Sequence, residues 1–150
     1  MTQEIFEAIK AIQRFQINCF SGISSLTHSQ IIVLLTIGDF LNHKQISPQP
    51  SQISDYLQIA PASVTPVLNK LEDGGYLERI YSKQDRRQIF IALTDKGKTE
   101  YDSITKSIER YYQNAIDKIG MQDISQFILF AKKIQAINQE FSDGKPISHC

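Results

Sequence analysis

Ser51 to Lys98 reads SQISDYLQIAPASVTPVLNKLEDGGYLERIYSKQDRRQIFIALTDKGK, and the order of signals within it decides the fold. Ser51 to Leu57 is a short helix that carries Ile53, Tyr56 and Leu57 inward. After a turn of five or six residues a second helix opens at or just after Pro61, because proline is tolerated in a first helical turn. It stops at Gly74-Gly75. Val64, Leu68 and Leu71 are spaced four and three apart and mark its buried face, which leaves Ala62, Ser63, Thr65, Pro66, Asn69 and Lys70 toward the other side. Pro66 conflicts with an early start, since past the first turn it removes a hydrogen bond and strains the helix. A start as late as Ser63 would relieve that conflict. Tyr76–Ile80 and Ile89–Leu93 then flank the polar tip SKQDRRQ, the pattern of a β-hairpin.

A short helix, a tight turn and a second helix with small exposed polar residues form a helix-turn-helix, and the charged hairpin behind it forms a wing. The second helix is narrow enough to enter the major groove of double-stranded DNA. Ser63, Thr65 and Asn69 offer hydrogen bonds to phosphates or base edges. Ala62, Pro66 and the Thr65 methyl offer apolar contact to thymine methyls, and Lys70 offers charge to phosphate. The wing tip concentrates Lys83, Arg86 and Arg87, and arginine is drawn to the deep negative potential of a narrow minor groove. Asp85, two residues before Arg87, is placed to lock that guanidinium by a forked pair. Residues 61–98 hold seven Lys/Arg against five Asp/Glu, a local net of +2.

Outward from this block the chain is helical. Ile5, Ala8, Ile9, Ile12, Phe15 and Cys19 recur at steps of three and four, one stripe of a helix over residues 4–20. Thr27 caps a helix to about Leu41 whose sequence, IIVLLTIGDFL, is apolar nearly all round and therefore central. Residues 42–50 form a loop broken by Pro48 and Pro50. Thr94 caps a long helix over 95–119 with Tyr101, Ile104, Ile108, Tyr111, Ala115 and Ile119 on one stripe, ended by Gly120. A last helix over 122–141 carries Ile124, Phe127, Ala131, Ile134 and Phe141. The expected organisation is one mainly α domain with a small β-hairpin wing: dimerisation helices at 4–25 and 99–142, a winged helix-turn-helix at 26–98, and a tail at 143–150 expected to fray. The terminal stripes have nothing obvious in one protomer to cover them, so Ile5, Ile9, Ile12, Phe127, Ile134 and Phe141 are the candidate dimer contacts.

At 150 residues the chain is about one domain. Sixteen basic and sixteen acidic residues cancel, and 41% of residues are hydrophobic, which excludes wholesale disorder and a uniformly basic DNA coat. Two cysteines, Cys19 and Cys150, make no disulfide framework, and the charged N-terminus has no signal-peptide core. The longest apolar stretch, Ile31–Leu35, is far too short to span a membrane. A cytoplasmic protein without membrane contact is expected. Glu72-Asp73 is a helix end rather than an acid–base dyad, and the chain has neither GxSxG nor a Gly-rich phosphate loop, so no enzyme activity is expected.

LTHSQIIVLL (26–35), the VTPVLNKLEDGGYLER run (64–79) and the DRR wing followed by LTDKGK resemble the MarR family of transcription regulators, over about half the chain. The resemblance implies a homodimer with interlocking terminal helices, a recognition segment at Ala62–Lys70 and a wing arginine at Arg87 partnered by Asp85. Arg86 is then an extra basic group for phosphate, and Arg79 serves local pairing or phosphate. It further implies a regulator, in most members a repressor, that holds a pseudo-palindromic DNA operator and is released by a small-molecule effector. Phe15, Phe20 and Tyr111, with Tyr101 and Tyr112, are aromatic candidates for the effector pocket. Two alternatives stand beside this reading: a thiol-based redox sensor acting through Cys19, and a DNA-silent winged helix that binds protein. One branch of the family senses peroxides through an N-terminal cysteine, but that cysteine would fall near Met1–Gln3 here. Cys19 sits on an apolar stripe and reads as packing. His28, His43, His149 and Cys150 lack metal-ligand spacing, so neither a metal nor a cofactor is expected.

Overall fold

A computed structural model describes residues 2–85 and 87–142, without the side chains of residues 2, 15–17 and 138–142. Arg86, His149, Cys150 and the tail lie outside the described residues, as do the side chains of Phe15 and Phe141. The element order is α1 (Thr2–Phe20), α2 (His28–His43), α3 (Pro50–Leu57), α4 (Pro61–Asp73), β1 (Leu77–Tyr81), β2 (Ile89–Leu93), α5 (Asp95–Ile119) and α6 (Met121–Ser142). Contacts divide the chain within α5 into two compact units, one ending at Glu109 and one beginning at Arg110.

In the first unit α2 is the central element, with Ile31, Val33, Leu34 and Ile37 almost fully buried. Thr27 caps it as its sequence requires. The Thr27 hydroxyl accepts the Gln30 N–H, and the Gln30 side chain accepts the Thr27 N–H in return, a capping box. Ile53 of α3 and Val64, Leu68 and Leu71 of α4 close on the same core. Cys19, at the end of α1, is only 1% exposed.

The helix-turn-helix is tighter than the sequence suggests. Gln58, in the left-handed region at φ 54°, ends α3, and α4 begins at Pro61, so the turn is three residues rather than five or six. The helix does not wait until Ser63. Pro66 therefore lies past the first turn, inside the helix. The lost hydrogen bond falls where Ala62 and Pro66 are both exposed, so the cost is far below that of a buried break.

Gly74 and Gly75 end α4 in a Schellman turn. Gly75, at φ 73°, donates to the Glu72 carbonyl and Tyr76 donates to that of Leu71. The hairpin pairs Leu77 with Leu93, Arg79 with Ile91 and Tyr81 with Ile89. Strand alternation places Arg79 on the same face as Leu77, whose side chain is buried in the core. The β2 strand is also fixed on its other edge, where Ile91 N–H donates to the Pro48 carbonyl at 2.8 Å.

The start of α5 is fastened to the Gly74–Tyr76 turn. Thr94 Oγ1 donates to the Gly75 carbonyl, Thr94 N–H to the Tyr76 carbonyl, and Lys96 Nζ to the Gly74 carbonyl. Thr94 also caps α5 by accepting the Gly97 N–H. Ile104 is fully buried, and Tyr101 and Ile108 pack against the core.

In the second unit Tyr111, Ala115 and Ile116 of α5 and Ile124 of α6 are half-buried. The rest of α6 from Met121 to Ile137 is exposed, including Phe127, Ile128, Leu129, Phe130 and Ile134. Among the described residues no helix is long and apolar enough to cross a membrane.

Candidate nucleic-acid interface

The buried stripe of α4 turns its opposite face to solvent, and Ala62, Ser63, Thr65, Pro66, Asn69 and Lys70 are all exposed there. The face is neutral except for Lys70 and small enough for close approach. Thr65 Oγ1 donates to the Pro61 carbonyl at 3.2 Å, so its hydroxyl proton is committed within the helix while its lone pairs remain open. Asn69 is not free: its Oδ1 accepts from Arg79 Nη2 at 2.7 Å. The other arm of that guanidinium pairs with Glu72. Arg79 thereby ties the wing's first strand to α4, the local-pairing role rather than a phosphate contact.

The wing tip is held by its own side chains. Ser82 Oγ accepts the N–H groups of Gln84 and Asp85, and Ser82 N–H donates to the Gln88 carbonyl. Asp85 does not grip the Arg87 guanidinium by a forked pair. Its Oδ1 accepts the Arg87 backbone N–H at 2.9 Å, closing a turn of the kind aspartate forms with the residue two positions on. The result is a shaped loop with Lys83 and Arg87 exposed and, among the described residues, no ion pair on either. Arg86, the third basic group of the tip, lies outside the described residues.

A cleft of about 310 Å³ lies in the first unit, lined by Leu41, Asn42, Leu93, Lys98, Tyr101 and Asp102. Of the aromatic candidates Tyr101 lines it, whereas Phe20 stacks edge-on with His28 at 5.1 Å and packs against the core. Tyr111 belongs to the second unit, edge-on to Tyr112 at 6.1 Å. Tyr101 is seated on Gly38, where a Cβ would stand 2.1 Å from Cε2 of the ring. Gly38→Ala is therefore expected to expel the ring and cost about 1–3 kcal/mol. A melting temperature equal to that of the parent would show that the ring yields freely.

Ile5, Ile9 and Ile12 of α1 and Phe127 and Ile134 of α6 are each more than 40% exposed, although they are large and apolar. The described residues contain no group of three or more His, Cys, Asp or Glu placed to hold a metal ion.

The sequence and the fold have known counterparts. The MarR family model matches residues 26–89. The HTH-type transcriptional regulator PrsX of Escherichia coli is 30% identical over 130 residues, 85% of this chain and 76% of PrsX. PapX of the same organism is 29% identical over 124 residues, 83% of this chain and 72% of PapX. The crystal structure of Streptococcus pneumoniae FabT in complex with DNA superposes with a TM-score of 0.71 at 26% identity, covering 95% of this chain and 99% of FabT.

Proposed function

This chain belongs to the MarR family of transcriptional regulators, a family of regulators and not of enzymes, and we propose that it acts as a homodimer that binds a pseudo-palindromic DNA site sequence-specifically and represses from it. The observation that carries the proposal is the outward face of α4, six exposed small or polar residues beside a wing tip braced from within and exposing Arg87. That pairing of a groove-sized helix and a shaped basic loop matches the major and the adjacent minor groove. The DNA-bound state of FabT supports it by likeness of fold. The dimer is supported by the uncovered apolar side chains of α1 and α6, and two recognition helices reach half-sites about one helical turn apart only when two protomers are joined. A small molecule seated in the Tyr101 cleft, favouring a protomer spacing that does not fit DNA, would shift the population off the operator. Cys19, being buried, lacks the solvent access of a redox sensor.

The test is fluorescence anisotropy on the DNA upstream of the protein's own coding sequence, with a scrambled duplex beside it, across a salt series. Tight binding to the upstream duplex that weakens steeply with salt is expected, because phosphate contacts release counterions. Arg87→Ala is expected to weaken binding by roughly ten- to a hundredfold, in line with about 1–3 kcal/mol per specific contact. No binding to any duplex at low salt would instead point to a winged helix that binds protein, and unchanged affinity in Arg87→Ala would remove Arg87 from the DNA contacts.

A further inference from the structure

Arg79 stands on β1, yet its guanidinium ends on α4. Nη2 donates to Asn69 Oδ1 at 2.7 Å, and Nη1 donates to the Glu72 carboxylate. Asn69 and Glu72 are three residues apart and so neighbours on one helix face, which lets a single planar fork reach both. The Arg79 side chain is only 21% exposed, held by strand alternation on the face it shares with buried Leu77. Its position is set by the hairpin register rather than by its own rotamer freedom.

The consequence for Asn69 is chemical. A guanidinium carries donors only, so the oxygen of the Asn69 amide must face it and the NH₂ must face away. Reading adenine with both arms of an asparagine needs the oxygen to accept from N6 and the nitrogen to donate to N7. Arg79 takes one of the two lone pairs of that oxygen and holds it toward the guanidinium, which disfavours the two-armed mode. What remains outward is a donor. The base edge with two adjacent acceptors in the major groove is that of guanine, through O6 and N7, and the least suited is cytosine, which offers an amino group.

We propose that Arg79 is a positioning residue that fixes Asn69 as a donor toward DNA, so that Asn69 selects guanine on the contacted strand. The inference rests on the reading above that α4 enters the major groove, and its test separates the two.

The test is selection of binding sites from a randomised duplex library by the full-length protein and three variants, with a thermal melt of each. The parent is expected to enrich guanine at one position of each half-site. Asn69→Asp keeps one oxygen for Arg79 and turns the other outward as an acceptor. It is expected to exchange that guanine for cytosine, changing the relative enrichment at that position by tenfold or more while the other positions stay as in the parent. Arg79→Met releases the amide and is expected to admit adenine there, whereas Arg79→Lys, still a pure donor, retains guanine. If Arg79→Met proves unfolded at the assay temperature, Asn69→Asp decides alone. Parent-like preferences in Asn69→Asp at every position, or an even loss of affinity across the library, would overturn the assignment while leaving DNA binding intact. A library from which the parent selects no sequence would overturn the DNA reading, and this inference with it.

Discussion

Among the described glycines, Gly97 is the one whose replacement by alanine is expected to be most damaging. A Cβ at residue 97 would lie 1.8 Å from the Tyr76 carbonyl oxygen, 2.9 Å from its carbon and 3.4 Å from Leu93 Cβ. The first two are backbone atoms, and they cannot swing aside as a side chain does. The Tyr76 carbonyl is already fastened by the Thr94 N–H, and the turn around it is held by Thr94 Oγ1 and Lys96. Relief therefore requires the α5 start to separate from the α4–β1 turn, which breaks those bonds and uncovers Leu77 and Leu93. The expected cost is about 3 kcal/mol or more, at the upper end for overpacking. For a chain of this size that corresponds to roughly 6–12 °C in melting temperature. A thermal melt of the purified variant checks it, and a midpoint within about 2 °C of the parent would show that the junction is not rigid. DNA affinity measured below the melt should fall as well, because the same junction sets the wing against the recognition helix.

Phe127→Asp is expected to separate the proposed dimer while leaving each chain folded. Phe127 is 47% exposed, and its neighbours Ile128, Leu129 and Phe130 are also exposed, so little of the chain's own core depends on it. A helix apolar around so much of its circumference is normally a buried one. In a symmetric interface each residue acts twice. With about 2 kcal/mol for a central aromatic contact, the two copies sum to about 4 kcal/mol, roughly a thousandfold in the dimer dissociation constant. Sedimentation velocity should show a dimeric parent and a monomeric variant with the same helical circular dichroism. Affinity for the full operator should drop by about 10²–10⁴, the avidity lost when two linked half-site contacts become one. A variant that stays dimeric at parental concentration would remove α6 from the interface.

Much of the architecture was legible because it rests on local physics. Thr27 and Thr94 announce helix starts by the hydrogen bonds their hydroxyls accept, and Gly75 and Gly120, both at positive φ, announce ends. The spacing of Val64, Leu68 and Leu71 marks the buried face of α4, and hence which residues look outward. Boundaries moved where two local signals competed. Pro50 and Pro61 each open a helix at its first position, and at Pro66 the tertiary burial of Leu68 and Leu71 overrides the strain of an interior proline.

By itself, then, the sequence determined the order, type and polarity of the elements, the MarR resemblance and the six outward residues of α4, since each depends on neighbours within a few positions. Tertiary structure decided which groups meet. Arg79 lies ten residues beyond Asn69, and only the register of β1 on the core brings its guanidinium to that amide. The sequence spacing places Asp85 to lock the Arg87 guanidinium, but its Oδ1 accepts the Arg87 backbone N–H instead, because the turn presents that nearer donor. Gly97 carried a faint sequence signal, a helix-disfavouring residue in the first turn of α5, but the carbonyl that requires it is twenty-one residues away. Contacts of this kind depend on the relative placement of whole elements, and no period, cap or breaker along the chain encodes that distance.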